Sequence, residues 1–142
     1  MSPPRWVLDT NVWVSAMLWQ GLPSRLLELA GEQQVQLFTS RVLRDELTTT
    51  LAKKKLIKPI AKTGLTAEQL LANFKRMTTT VTARQLAVRV SRDADDDAVL
   101  ACALAARAAL IVSGDDDLLV LKQFSNIPIV LPHQALRIIG AL

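Results

Sequence analysis

The chain has 142 residues, half of them apolar, and a net charge of +4 from 17 basic and 13 acidic side chains. That length suits one domain, residues 1–142, with a core that needs no disulfide, and the lone Cys102 excludes an intrachain disulfide and fits a reducing compartment. The longest apolar run, Ala98 to Val112 with Arg107 inside it, is shorter than the roughly 20 residues that cross a bilayer, and the Met-Ser-Pro-Pro-Arg start lacks a signal-peptide core, so a cytoplasmic protein is expected.

In chain order, Arg5 to Leu8 is a short buried strand ending at Asp9, and Val12 to Trp19 has apolar residues at helical spacing. A second helix is expected over Leu22 to Ala30, with Pro23 in its first turn and Gly31 past its end. Val35 to Thr39 is strand-like, and Ser40 can cap a helix from Arg41 to Leu51, followed by a lysine-rich connection. Thr66 and Gln69 have capping-box spacing for a helix running to Met77. Thr78 to Val90, rich in Thr and Val, is expected to be extended, and its residues leave open which part joins a sheet. The rest alternates: helix Asp95 to Ala109, strand Leu110 to Ser113, helix Asp116 to Lys122, strand Ile127 to Leu131, helix Pro132 to Ile139. This is the pattern of a three-layer α/β/α domain with a mainly parallel sheet, whose ligands gather beyond the carboxyl ends of the strands.

Four acids, Asp9, Glu46, Asp97 and Asp115, stand where strand gives way to helix or close to such a junction. Brought together, they would repel one another until a cation joined them, and an all-carboxylate set suits Mg²⁺ or Mn²⁺ better than zinc. At about 100° per residue, Glu46 falls between Val42 and Leu43 on the apolar side of its helix and Asp45 outside it. A Glu on that face must be metal-bound, hydrogen-bonded or paired with an arginine. Of Asp95, Asp96 and Asp97, one suffices to cap a helix. Asp97, followed along its face by Ala101, Leu104 and Ala105, is taken as the charge-binding member. In Ser113-Gly114-Asp115-Asp116-Asp117, Asp115 is nearest the strand end and Asp117 second. A separate basic stretch, Lys53, Lys54, Lys55, Lys58 and Lys62, is either a solvated loop or an approach surface for phosphates.

At these residues the chain resembles the PIN-domain ribonucleases, and more narrowly the VapC-like toxin components of type II toxin–antitoxin pairs. The matching pieces are VLDTNVWVSAML (Val7 to Leu18), LRDEL (Leu43 to Leu47), SRDADDDAVLACALAA (Ser91 to Ala106), IVSGDDDLL (Ile111 to Leu119) and the closing IPIVLPHQAL from Ile127. Each is weak alone, but together and in order they are specific and cover nearly the whole chain. The resemblance implies a Mg²⁺- or Mn²⁺-dependent endoribonuclease leaving a 5′-phosphate and a 3′-hydroxyl. It implies Asp9, Glu46, Asp97 and Asp115 as catalytic and metal-binding residues, with Thr10, Asn11, Ser15, Ser113 and Asp117 in support. A homodimer and an antitoxin partner are implied as well. Ala94 stands where close relatives carry proline.

No covalent nucleophile is evident, since Ser15 and Ser113 lack a histidine partner and the only histidine, His133, follows Pro132 near the closing helix. With no tyrosine, and Trp6, Trp13 and Trp19 in strand or helix patterns, core packing is expected for the aromatics and backbone recognition for the RNA. Two other classes remain open: a PIN scaffold that binds RNA or antitoxin without cutting, and a receiver-like signalling domain. The latter would need a lysine after a late strand, where Ile129 to Pro132 has none.

Overall fold

The elements run in the order β1 (Arg5–Leu8), α1 (Thr10–Leu18), α2 (Leu22–Gly31), β2 (Gln36–Thr39), α3 (Arg41–Leu51), a 3-10 turn (Lys54–Leu56), α4 (Ile57–Lys62), α5 (Ala67–Met77), β3 (Thr78–Thr80), α6 (Ala94–Ala106), β4 (Leu110–Val112), α7 (Asp116–Leu119), β5 (Gln123–Phe124), β6 (Ile127–Val130) and α8 (Pro132–Ile138). The computed structural model describes residues 2–91 and 93–142; Met1, in the N-terminal segment read above, and Arg92, in the SRDADDD motif, lie outside the described residues.

Side-chain alternation along the central strands divides the core in two. Trp6 and Leu8 of β1, Leu37 of β2 and Leu110 and Val112 of β4 face one side, where they pack with Val12, Leu26, Leu47, Phe74 and Leu136 from the helices. Val7, Phe38 and Ile111, one residue out of phase, face the other side, with Leu43, Leu100, Ala103 and Leu118. Each central strand is apolar on both faces, which is why these strands appear in the sequence as continuous apolar runs. The six-stranded sheet has the order β3-β2-β1-β4-β6-β5, all parallel except β5, which pairs antiparallel with β6. This order differs from the 2-1-3-4-5 order of flavodoxin-like receivers, so the signalling alternative fails on topology.

Helix starts follow the expected chemistry. Asp9 caps α1 and Ser40 caps α3, accepting from Val12 N at 2.9 Å and Leu43 N at 3.3 Å. Thr66 and Gln69 form the full capping box of α5. Three expectations change. The lysine-rich connection holds a 3-10 turn and α4. Only Thr78–Thr80 of the extended stretch joins the sheet: Val81 N makes the last bond, to Thr39 O at 2.8 Å, and beyond it β2 has already become α3 and offers no ladder. Gln123–Phe124, which lie between the expected helix and the expected strand, pair as β5. Trp6 and Trp13 are core residues, whereas Trp19, at the end of α1, is half exposed. Among the described residues no helix is long and apolar enough to cross a membrane.

Candidate metal centre

From β1 the chain builds outward through β2 and β3, then returns to lay β4 on the other side of β1. The crevice past the ends of β1 and β4 is therefore a topological switch point, where parallel sheets leave room for a ligand. Leu8 is in register with Val112, so the residues that follow each strand meet. The Ser113 hydroxyl donates to Asp9 Oδ2, and the Asp115 N–H donates to Ser113 Oγ at 2.9 Å. Asp9 Oδ1 is occupied by its cap bond from Val12 N. Asp9 is 6% exposed, and burial raises its pKa against the lowering effect of the Ser113 and Val12 hydrogen bonds, with the Asp115 charge adding to the rise.

A cavity of about 80 Å³ opens here, lined by six carboxylates, Asp9, Glu46, Asp93, Asp95, Asp96 and Asp115, together with Thr10, Asn11 and Val99. Burial, and next the charge of Asp95, pushes the Glu46 carboxyl up to about 7, while a hydrogen bond with the Thr10 side chain pulls the other way. Burial likewise raises Asp96 to about 6, opposed by the Ser91 hydroxyl, which donates to Asp96 Oδ2 at 3.0 Å, and assisted by Asp115. Asp96, Asp115 and Asp117 each offer an oxygen within 4.8 Å of the other two. Opposite oxygens around an octahedral Mg²⁺ lie about 4 Å apart, so the carboxylates need only a small contraction to share an ion. Among the described residues that line the cavity none is a lysine, arginine or histidine, and this donor set fits a hard divalent cation.

The expected residues fall into three groups. Asp9, Glu46 and Asp115 line the cavity, as do Thr10 and Asn11, while Ser113 and Asp117 bond to its acids. Asp97 is placed elsewhere. Its carboxylate accepts from Ser91 N at 2.7 Å and Val90 N at 3.1 Å, lies 3.6 Å from Arg89 Nε, and borders a different cavity, while Asp96 turns to the acids. Ser15 is half-buried on α1 and does not line the cavity. Lys53, Lys54, Lys55 and Lys58 are exposed past the far end of α3, about 16 Å of helix from its start at the crevice.

Asp96 was legible in principle. Val99, Leu100 and Ala103, at i+3, i+4 and i+7 from it, are all buried, whereas Leu104 and Ala105, which follow Asp97, are exposed. Because every residue from Ala98 to Ala106 is apolar, the sequence hides which face of α6 is inward. Asp93 was missed as the α6 cap, which it forms by accepting from Asp95 N at 2.9 Å. Glu46 reaches the site although its marker Val42 is 59% exposed; its neighbour in the fold is Thr10.

A family profile described as PIN domain matches residues 5–117. The chain belongs to the PIN-domain family. No curated protein matches it. Among solved structures, one chain in a crystal structure of VapBC2 from Rickettsia felis bound to a DNA fragment from their promoter is similar in fold, with a TM-score of 0.58 at 16% identity over 88% of this chain and 96% of that one. PIN domains are in general nucleases, and this one carries a cluster of acidic residues, Asp96, Asp115 and Asp117.

Proposed function

We propose that this PIN domain is a Mg²⁺- or Mn²⁺-dependent endoribonuclease and the toxin of a type II toxin–antitoxin pair. The observation that carries the nuclease reading is the cavity itself: six carboxylates converge on it, with no cationic side chain among the described residues of its lining. The toxin reading rests on the VapC-like motifs and on a fold neighbour drawn from a VapBC2 assembly. In this reading Asp9, Asp96 and Asp115 hold the ion, with Asp117 beside them. A divalent ion bound there supplies an acidified water and neutralises charge developing on the phosphoryl oxygens.

The remaining steps belong to the protein. Ser113 fixes one Asp9 oxygen, leaving the carboxylate oriented toward the cavity. Thr10 orients Glu46, whose carboxyl, pushed up to about 7, is suited to receive a proton from the attacking water at neutral pH. Asp97 holds the backbone at Val90 and Ser91, and Ser91 in turn bonds Asp96. The exposed lysines beyond α3 would meet phosphates remote from the cut. A homodimer, an antitoxin whose segment blocks the cavity and a cytoplasmic setting complete the proposal; the lone buried Cys102 fits the last of these.

The test is cleavage of a labelled RNA with Mn²⁺ by the wild type and by Asp9→Asn and Asp96→Asn. Metal-dependent cleavage lost in both variants is expected. Equal cleavage by all three would remove the metal-nuclease reading, and no cleavage by a folded, metal-loaded wild type would leave a binding scaffold.

A further inference from the structure

Beside the acidic cavity lies a larger groove of about 550 Å³, bounded by the start of α3, the face of α6 that carries Ala94, Ala98 and Ala101, and the non-helical segment 83–89. We propose that this groove seats a nucleoside of a single-stranded RNA whose neighbouring phosphate lies at the acidic cavity. The inference rests on the ribonuclease reading and adds where the strand is gripped.

Adjacent residues tie the two sites together. Asp96 borders the acidic cavity and Asp97 borders the groove, so a single turn of α6 forms the shared wall. A strand with its scissile phosphate at the acids has this groove immediately next to it. The sizes divide the work: about 80 Å³ accommodates an ion and its waters, whereas about 550 Å³ is in the range of small-molecule sites.

The chemistry of the groove is the inverse of its neighbour's. Three alanine methyl groups at helical spacing and the exposed Val42 give an apolar floor without bulk, suited to the face of a ribose or base. Arg84, which is exposed, stands on the outer wall for phosphate, while Arg89 donates to Ser91 O at 3.0 Å and lies against Asp97. The one carboxylate there, Asp97, accepts two backbone N–H bonds and lies 3.6 Å from Arg89, so its charge is compensated where the anion would enter. Those bonds also hold one end of the 83–89 segment, and Leu86, partly buried against the core, holds its middle, so the wall is a formed one.

The test compares steady-state cleavage of a fluorescein-labelled single-stranded RNA of roughly 20 nucleotides, with Mn²⁺, by the wild type, Arg84→Glu, Arg84→Lys and Ala98→Leu. Anisotropy binding of the same RNA in EDTA runs in parallel. Arg84→Glu should raise KM about fivefold with kcat within about twofold, and lower the salt slope of binding by about 1. Arg84→Lys should keep most of the wild-type KM. Ala98→Leu, which fills the groove and leaves the carboxylates of the acidic cavity in place, should raise KM at unchanged melting temperature. Cleavage by the wild type with KM unchanged in both Arg84→Glu and Ala98→Leu overturns the groove and spares the nuclease. If the wild type cuts no RNA, the nuclease reading fails by itself; anisotropy then decides, with weaker binding by Arg84→Glu supporting an RNA seat and equal binding overturning it.

Discussion

The two sides of the α6 N-terminus are built for opposite purposes. On one, Asp96 joins five other carboxylates around a small cavity with no cationic side chain among the described residues of its lining. On the other, one residue later, Asp97 spends its oxygens on backbone N–H groups and an arginine, and the surface turns to alanine. The difference shows what separates a binding acid from a structural one. Acids on both sides accept hydrogen bonds; what differs is that an arginine stands against Asp97, whereas Asp9, Glu46 and Asp96 face burial and other carboxylates. An acid compensated within the fold stabilises a segment, while acids whose pKa values are raised by burial, and next by one another, suit the external cation proposed above.

The largest effect should come from the acidic side. Asp115→Asn, which keeps the size of the side chain and its cap role, should lower metal-dependent RNA cleavage on the order of 10²–10³-fold, measured as initial rate at saturating Mn²⁺. Next is the link between strand ends. Ser113→Ala removes the hydroxyl that joins Asp9 to the Asp115 backbone, and Mn²⁺ affinity measured by calorimetry should fall about 10–100-fold. Retention of wild-type affinity would mean that Asp9 needs no such support.

A smaller effect concerns pH. Glu46 and Asp96 hold their protons more tightly in the fold, at about 7 and about 6, than in the unfolded chain, where 4.5 and 3.8 apply, and Asp9 shifts in the same direction. Their contribution to stability is therefore complete below pH 4 and drains away as pH rises through 6 and 7. The metal-free protein should melt on the order of 5 °C lower at pH 8 than at pH 5.5, and millimolar Mg²⁺ or Mn²⁺ should recover the difference at pH 8. A melting temperature insensitive to both pH and metal would place the cluster in solvent.

Much of this was legible in the sequence because local chemistry and global fold agree. Short apolar runs ending at Asp9 and before Asp115 are the signature of strands buried on both faces, and parallel pairing of β1 with β4 then brings their ends together. Ser40 and the Thr66–Gln69 box announced their helices through side-chain to backbone bonds that need no distant partner. What the residues left open lies where the information is non-local. Thr78 to Val90 has strand composition, but its pairing ends where β2 ends, which the segment's own residues do not encode. The choice between Asp96 and Asp97 needed the inward face of α6, and an unbroken apolar helix carries no such phase. The acids themselves were found, while the assignment among neighbours waited on packing.

Calorimetric titration of Mn²⁺ into the wild type, Asp96→Asn and Asp97→Asn tests the central claim most directly. The account predicts binding by the wild type, a loss of at least about tenfold in affinity for Asp96→Asn, and an affinity for Asp97→Asn within about threefold of the wild type. No binding by the wild type, or a greater loss from Asp97→Asn than from Asp96→Asn, would contradict it.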